Sequence, residues 1–232
     1  MLFLFFLKEV LTMKINNMVL TVAGVLMAMV LLLAPPYVLA KEKTKGPAVP
    51  QTPQTQELKL TLRELWAGHI FWVRNVVLST RYGDPEAAKV AEDQVVQNAM
   101  DIAGSISPYY GKEASDKLFS LLAGHYGAIK EYMNASFAGN KVARDTAVEM
   151  LKKNADDIAA FLSSANPNLK KETLLSALVA HGGHHIAQIE AIASRDFVSE
   201  AKTWPAMKAH VYVIADVLAD GLAKQFPMKF SK

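Results

Sequence analysis

The 232-residue sequence predicts an all-α fold, an antiparallel six-helix bundle built from three tandem helical hairpins with a 56-residue repeat. Three observations carry that prediction. Apolar residues recur at three- and four-residue spacing through six segments, and no strand-like alternation competes. Glycine, proline and asparagine signals separate the segments. Similar blocks then return at a fixed interval: LRELWAGH ends at His69, LFSLLAGH at His125 and LLSALVAH at His181, each 56 residues after the last.

The elements follow in order. Residues 1–40 have the layout of a signal peptide: Lys14 supplies a positive n-region and Met18 to Ala34 is almost unbroken apolar sequence. Pro35-Pro36 then breaks any helix, and Val38-Leu39-Ala40 sets compact residues before a cleavage expected at Lys41. Translation could start at Met1 or at Met13. Without cleavage the same segment would be a short membrane anchor, its 17 apolar residues being near the lower limit for a span. Residues 41–56 (KEKTKGPAVPQTPQTQ) are polar and proline-punctuated, and read as a flexible linker. The bundle domain is expected over 57–232.

Within it, turns are expected at Tyr82-Gly83-Asp84-Pro85, Pro108-Tyr109-Tyr110-Gly111, Ala138-Gly139-Asn140, Asn166-Pro167-Asn168 and a polar stretch from Arg195 to Pro205. Asp84 suits an N-cap, with Pro85 at the first helical position. Connections this short make neighbouring helices antiparallel. The intervening helices match as well: QNAMDI carries Asn98 and Asp101, and KNADDI carries Asn154 and Asp157. The third counterpart of the asparagines is His210.

Register sharpens the picture. Two residues equidistant from a hairpin turn lie at the same height. Taken pairwise along the chain, His69, Asn98, His125, Asn154, His181 and His210 have midpoints at Gly83-Asp84, Gly111, Gly139-Asn140, Pro167 and Arg195, all inside expected connections. Six polar residues, one per helix, should therefore lie within about one turn, ~5.4 Å, of a common plane. The histidines point inward, because Leu62, Leu65, His69, Trp72 and Val76 form one apolar stripe. Leu118, Leu122, His125, Ile129 and Tyr132 form a second, and Leu174, Leu178, His181, His185 and Ile192 a third.

Buried imidazoles and amides need partners, at about 1–3 kcal/mol for each group left without one. One solution is mutual, with asparagine and neutral histidine satisfying each other and the layer serving only to set register. The other is a ligand, either a small polar molecule or a transition metal. Neutral imidazole binds zinc, copper, nickel and iron. His69, His125, His181 and His210 are the primary candidates, with His185, Asn98 and Asn154 as alternates. His181 and His185 have the i, i+4 spacing of a zinc helix, though the glutamate of HExxH is missing, so no metalloprotease follows. His184 falls off the stripe. Asp101 and Asp157 could orient a histidine or bind metal directly. Arg74, after the aromatic run, could hold a carboxylate.

Other classes find little support. The formal charge of +3, with no dense basic stripe, argues against nucleic acid. The absence of cysteine removes disulfides, thiolate sites and a cysteine nucleophile. There is no nucleophile elbow, P-loop or dinucleotide fingerprint. The reading is a non-enzymatic, exported protein, periplasmic or secreted, that binds a metal or small polar ligand. The alternative is a module that meets an envelope or extracellular protein, with a purely structural polar layer.

The segments LWAGHIFWVRNVVLS, NADDIAAFLSSANP and IADVLADGLAKQFPMKF resemble a family of uncharacterised bacterial helical-bundle proteins, from Leu58 to Phe230. Its members carry inconsistent labels, glycosyltransferase and acetylglutamate kinase among them. Both reactions are normally run by β-containing folds with nucleotide sites, so this resemblance implies a fold and no activity. A looser similarity is to haemerythrin-like and DinB-like metal bundles, which also turn histidines inward from several helices. This chain departs from the haemerythrin ligand pattern, since no inward HxxxE helix accompanies its HxxxH pair.

Overall fold

The computed structural model describes Val49 and residues 51–231. The expected signal peptide and most of the linker lie outside the described residues. Six long helices make the bundle: α1 (Pro53–Tyr82), α2 (Pro85–Gly104), α3 (Lys112–Phe137), α4 (Lys141–Ala165), α5 (Lys171–Ala193) and α6 (Phe197–Gln225). A single helical turn, Ser107–Tyr110, joins α2 to α3, and a 3-10 turn, Pro227–Phe230, follows α6. No described helix is long and apolar enough to cross a membrane.

Local chemistry explains the boundaries. Asp84 caps α2 by accepting from Ala87 N at 2.9 Å, with Pro85 in the first turn. Asn140 caps α4 in the same way through Ala143 N at 3.1 Å. Gly83, Gly111 and Gly139 take φ values of 74°, 82° and 66°, the left-handed backbone that ends or joins helices cheaply in glycine.

Two boundaries differ from expectation. Helix α1 starts at Pro53, inside the stretch read as linker, because Thr52 caps it through Thr55 N and proline favours the first turn. Helix α6 starts at Phe197 and runs through Pro205, where a loop was expected. Asp196 supplies its cap by accepting from Ser199 N at 2.9 Å. A proline nine residues into a helix removes one backbone hydrogen bond, and the helix runs on through it with Met207 buried and Glu200 paired to Arg74.

The helices pack antiparallel as a closed ring, each against the next and α6 back against α1. Helix α5 also packs against both α1 and α3. It is therefore the element that packs against four others. One apolar core lies toward the α1–α2 turn, built from Val73, Val76, Val77, Val95, Ile129 and Ile192. Others fill the opposite end around Leu62, Trp66, Val211 and Ile214, and around Ile158, Leu162 and Leu178. The histidine-bearing turns lie between these ends.

Arg74 finds its carboxylate in Glu200 of α6. Nε donates to Oε1 at 2.6 Å and Nη2 to Oε2 at 3.1 Å, and Gln188 Nε2 adds a third bond at 3.2 Å. Glu200 is buried, and the guanidinium lies over Trp204. A bidentate, largely desolvated pair of this kind fixes α1 against the start of α6.

Gly221 of α6 has the closest neighbours of the described glycines. A Cβ there would come within 2.6 Å of Leu169 Cδ2 and 2.9 Å of its Cγ. The Gly221→Ala variant should lose about 1–3 kcal/mol in a urea melt despite its better helix propensity. Unchanged or increased stability would show that the α4–α5 loop yields freely.

Candidate metal centre

His69 of α1, His125 of α3, and His181 and His185 of α5 are buried, with 7 %, 6 %, 1 % and 1 % of their surface exposed. One ring nitrogen from each lies within 4.8 Å of the others. His185 Nε2 is 3.2 Å from His69 Nε2 and 3.2 Å from His181 Nε2. The His125 ring stacks on His181 at 5.5 Å, and its buried Nε2 has no hydrogen-bond partner. Such a group could hold a metal ion.

The helices position these rings in a consistent way. Asn98 Nδ2 donates to Leu65 O at 2.9 Å and Asn154 Nδ2 to Leu121 O at 2.9 Å. His210 Nε2 makes the corresponding bond to Ala177 O, also at 2.9 Å. In an α-helix each of those carbonyls already receives the N–H four residues on. Those residues are His69, His125 and His181. Each outer helix thus clamps the turn that carries a cluster histidine. Gly68 and Gly124 make room for the first two clamps, because a Cβ would sit 3.1 Å from Asn98 Nδ2 and 3.3 Å from Asn154 Nδ2.

The clamps also separate the expected site residues by role. His210 stands apart from the four converging histidines, with its ring 6.5 Å from His181. A carbonyl accepts only, so its Nε2 carries the proton and offers no lone pair. Asn98 and Asn154 spend their amide donors on backbone, while their Oδ1 atoms are buried without partners. Asp101 is exposed and accepts from Gln97 Nε2 at 3.0 Å, and Asp157 pairs with Lys153 at 2.7 Å. Neither carboxylate bonds to a cluster histidine. Three residues past an inward asparagine turns the helix by about −60°, enough to reach the solvated side. His184 lies half-buried beside His210, with the rings 5.2 Å apart.

Burial sets the protonation state. Desolvation, then the proximity of His125, lowers His69 to about 3. Desolvation lowers His125 to about 4, with the Asn154 amide pulling the other way from outside normal hydrogen-bond geometry. His181 and His185 fall well below the usual histidine value, first through burial and then through the neighbouring imidazoles. All four rings are neutral at pH 7, which is the form that binds metal.

Mutual hydrogen bonding does not satisfy this set. A neutral imidazole Nε2 has either one proton or one lone pair. His185 Nε2 faces two nitrogens at equal distance and can make one good bond. The Nδ1 atoms of His181 and His185 and the Nε2 of His125 are left buried without partners. A cation at the convergence point would use Nε2 lone pairs together, the orphaned one of His125 included, while the Nδ1–H groups of His181 and His185 would still lack acceptors. Tetrahedral zinc with Zn–N bonds of 2.0–2.1 Å separates its ligand atoms by about 3.3 Å. The two 3.2 Å contacts are already at that spacing, and the wider pairs must close toward it.

Compared with models of protein families, with curated proteins and with solved structures, the chain matches none.

Proposed function

We propose that this is an exported, non-enzymatic protein that holds one transition-metal ion between His69, His125, His181 and His185. The observation that carries the reading is the convergence of four neutral, buried imidazole nitrogens supplied by three helices. Four ligands from one donor set describe a single ion. Among the described residues no carboxylate joins the cluster, so nothing is placed to bridge two metals as in a haemerythrin-like di-iron centre. An all-imidazole set suits zinc, copper, nickel or iron, and the tetrahedral spacing favours zinc. A closed four-ligand site leaves no open position for substrate, which supports binding over catalysis.

Export rests on the N-terminal sequence, with its basic start, apolar run and Val-Leu-Ala before Lys41. The threefold hairpin repeat gains support from the three clamps, each spanning 33 residues and recurring at the 56-residue interval. Repetition accounts for one histidine per inner helix, and His185 is the addition that completes the set.

A second reading keeps the histidines as core residues of an interaction module. It is favoured by the clamps themselves, which hold helix register with no ligand. One preparation separates the two. Protein isolated from its native host without a histidine tag should begin at Lys41 and contain one metal ion per chain by elemental analysis. A metal-free preparation that stays metal-free after incubation with zinc, copper, nickel and iron supports the interaction module. An intact apolar N-terminus in the membrane fraction sinks the export claim.

A further inference from the structure

The chain has six histidines, and all six lie in one connected group. Four of them form the buried cluster. The other two, His184 of α5 and His210 of α6, carry the group toward the surface. The His210 ring stacks on His181 at 6.5 Å, with 16° between the planes, and the His184 ring lies 5.2 Å from His210. Both outer residues are half-buried. A file of imidazoles thus runs from solvent at the α5–α6 seam to the closed set.

The outer pair has nitrogens to spare. His210 Nε2 donates to Ala177 O, so its Nδ1 keeps the lone pair. That Nδ1 and both nitrogens of His184 make no hydrogen bond among the described residues, and they are not fully buried. The 5.2 Å between these two rings equals the separation of His69 and His185 inside the cluster. The outer rings therefore stand as far apart as two that converge on one point. Two imidazoles, with water completing the shell, hold a transition metal weakly. A transit position needs that balance, since it must both collect an ion and release it.

A buried site also needs an entry path. Apolar cores flank the cluster toward either end of the bundle. A hydrated cation crossing them would shed its water with nothing to replace it. We propose that His184 and His210 form an outer landing site, where a transition-metal ion first binds and from which it passes by His181 to the buried cluster. This inference rests on the metal reading above, and its test separates the two.

Metal-free full chain is mixed with cobalt(II) in a stopped-flow instrument, and the d–d absorption of the buried four-nitrogen centre is followed. The end point reports the cluster and the rate reports the route. Substitutions beside a metal site typically cost about 10–100-fold in affinity, so His184→Ala should slow uptake about tenfold by weakening the landing complex. The final spectrum and the stoichiometry should not change. His184→Glu, which puts back a ligand of another kind, should recover the rate, and failure to do so overturns ligation at this position. Equal rates for wild type and His184→Ala at an unchanged end point overturn the landing site and leave the cluster reading intact. An altered end-point spectrum in His184→Ala makes His184 part of the centre itself and also overturns it. A wild-type chain that takes up no cobalt removes the metal reading, and the landing site with it.

Discussion

Acidification from pH 7 to pH 5 is expected to unfold the metal-free protein. A histidine in the unfolded chain titrates near 6.5. Burial holds His69 at about 3, His125 at about 4, and His181 and His185 well below their usual value. Between about pH 6.5 and those folded values the unfolded chain binds more protons. Stability is then complete above pH ~6.5 and drains as the pH falls through it, until the folded groups themselves titrate. At pH 5 each buried neutral imidazole costs about 2 kcal/mol, so four of them remove roughly 8 kcal/mol. Whole domains have only about 5–15 kcal/mol to lose. Far-UV circular dichroism followed against pH should show the helices melting near pH 5. A signal unchanged down to pH 4 would mean that water reaches the rings and that the cluster is not the closed site described above.

Zinc should produce a comparable effect in the opposite direction. A ligand held by the folded state alone, at a thousand times its dissociation constant, adds about 4 kcal/mol. For a bundle of this size that amounts to roughly 8–16 °C in melting temperature, reversed by chelator. Two variants make the assignment specific. His185→Gln removes the nitrogen that lies 3.2 Å from two others, and should abolish the zinc increment. His210→Ala removes the clamp on Ala177 O, and should lower stability by about 1 kcal/mol or more while keeping the increment. An increment that survives His185→Gln, or disappears in His210→Ala, would place the ion elsewhere in the layer.

These predictions centre on His185. Spacing favours His210 as a primary ligand because it completes a one-per-helix layer, and makes His185 an alternate because it is an extra residue on α5. In the folded chain α5 packs against α1 and α3 together. A histidine one turn further along α5 therefore meets both neighbours, with its ring 5.2 Å from His69 and 6.1 Å from His125. His210 sits on α6, which packs on α1 and α5, and bonds to an α5 backbone carbonyl. Spacing gives it a position along the chain, but its chemistry depends on what it faces.

Signals carried within a few residues settled a good deal from sequence alone. The apolar stripes placed His69, His125, His181 and His185 inside, where all four are buried. The Gly-Asp-Pro, Gly-Asn and Asn-Pro connections placed turns that the structure has, because capping and left-handed backbone are properties of the residues themselves. Pro205 and the start of α1 escaped the same logic. Helix α6 runs on through its proline, and Thr52 caps α1 ahead of its apolar stripe. Only the packed bundle decided which polar groups face one another: Arg74 and Glu200 across 126 residues, the clamp carbonyls across 33, and four nitrogens within 4.8 Å. Helical periodicity determines the face on which a side chain lies. The meeting of two faces depends on which helices the closed ring brings together, and no local spacing encodes that.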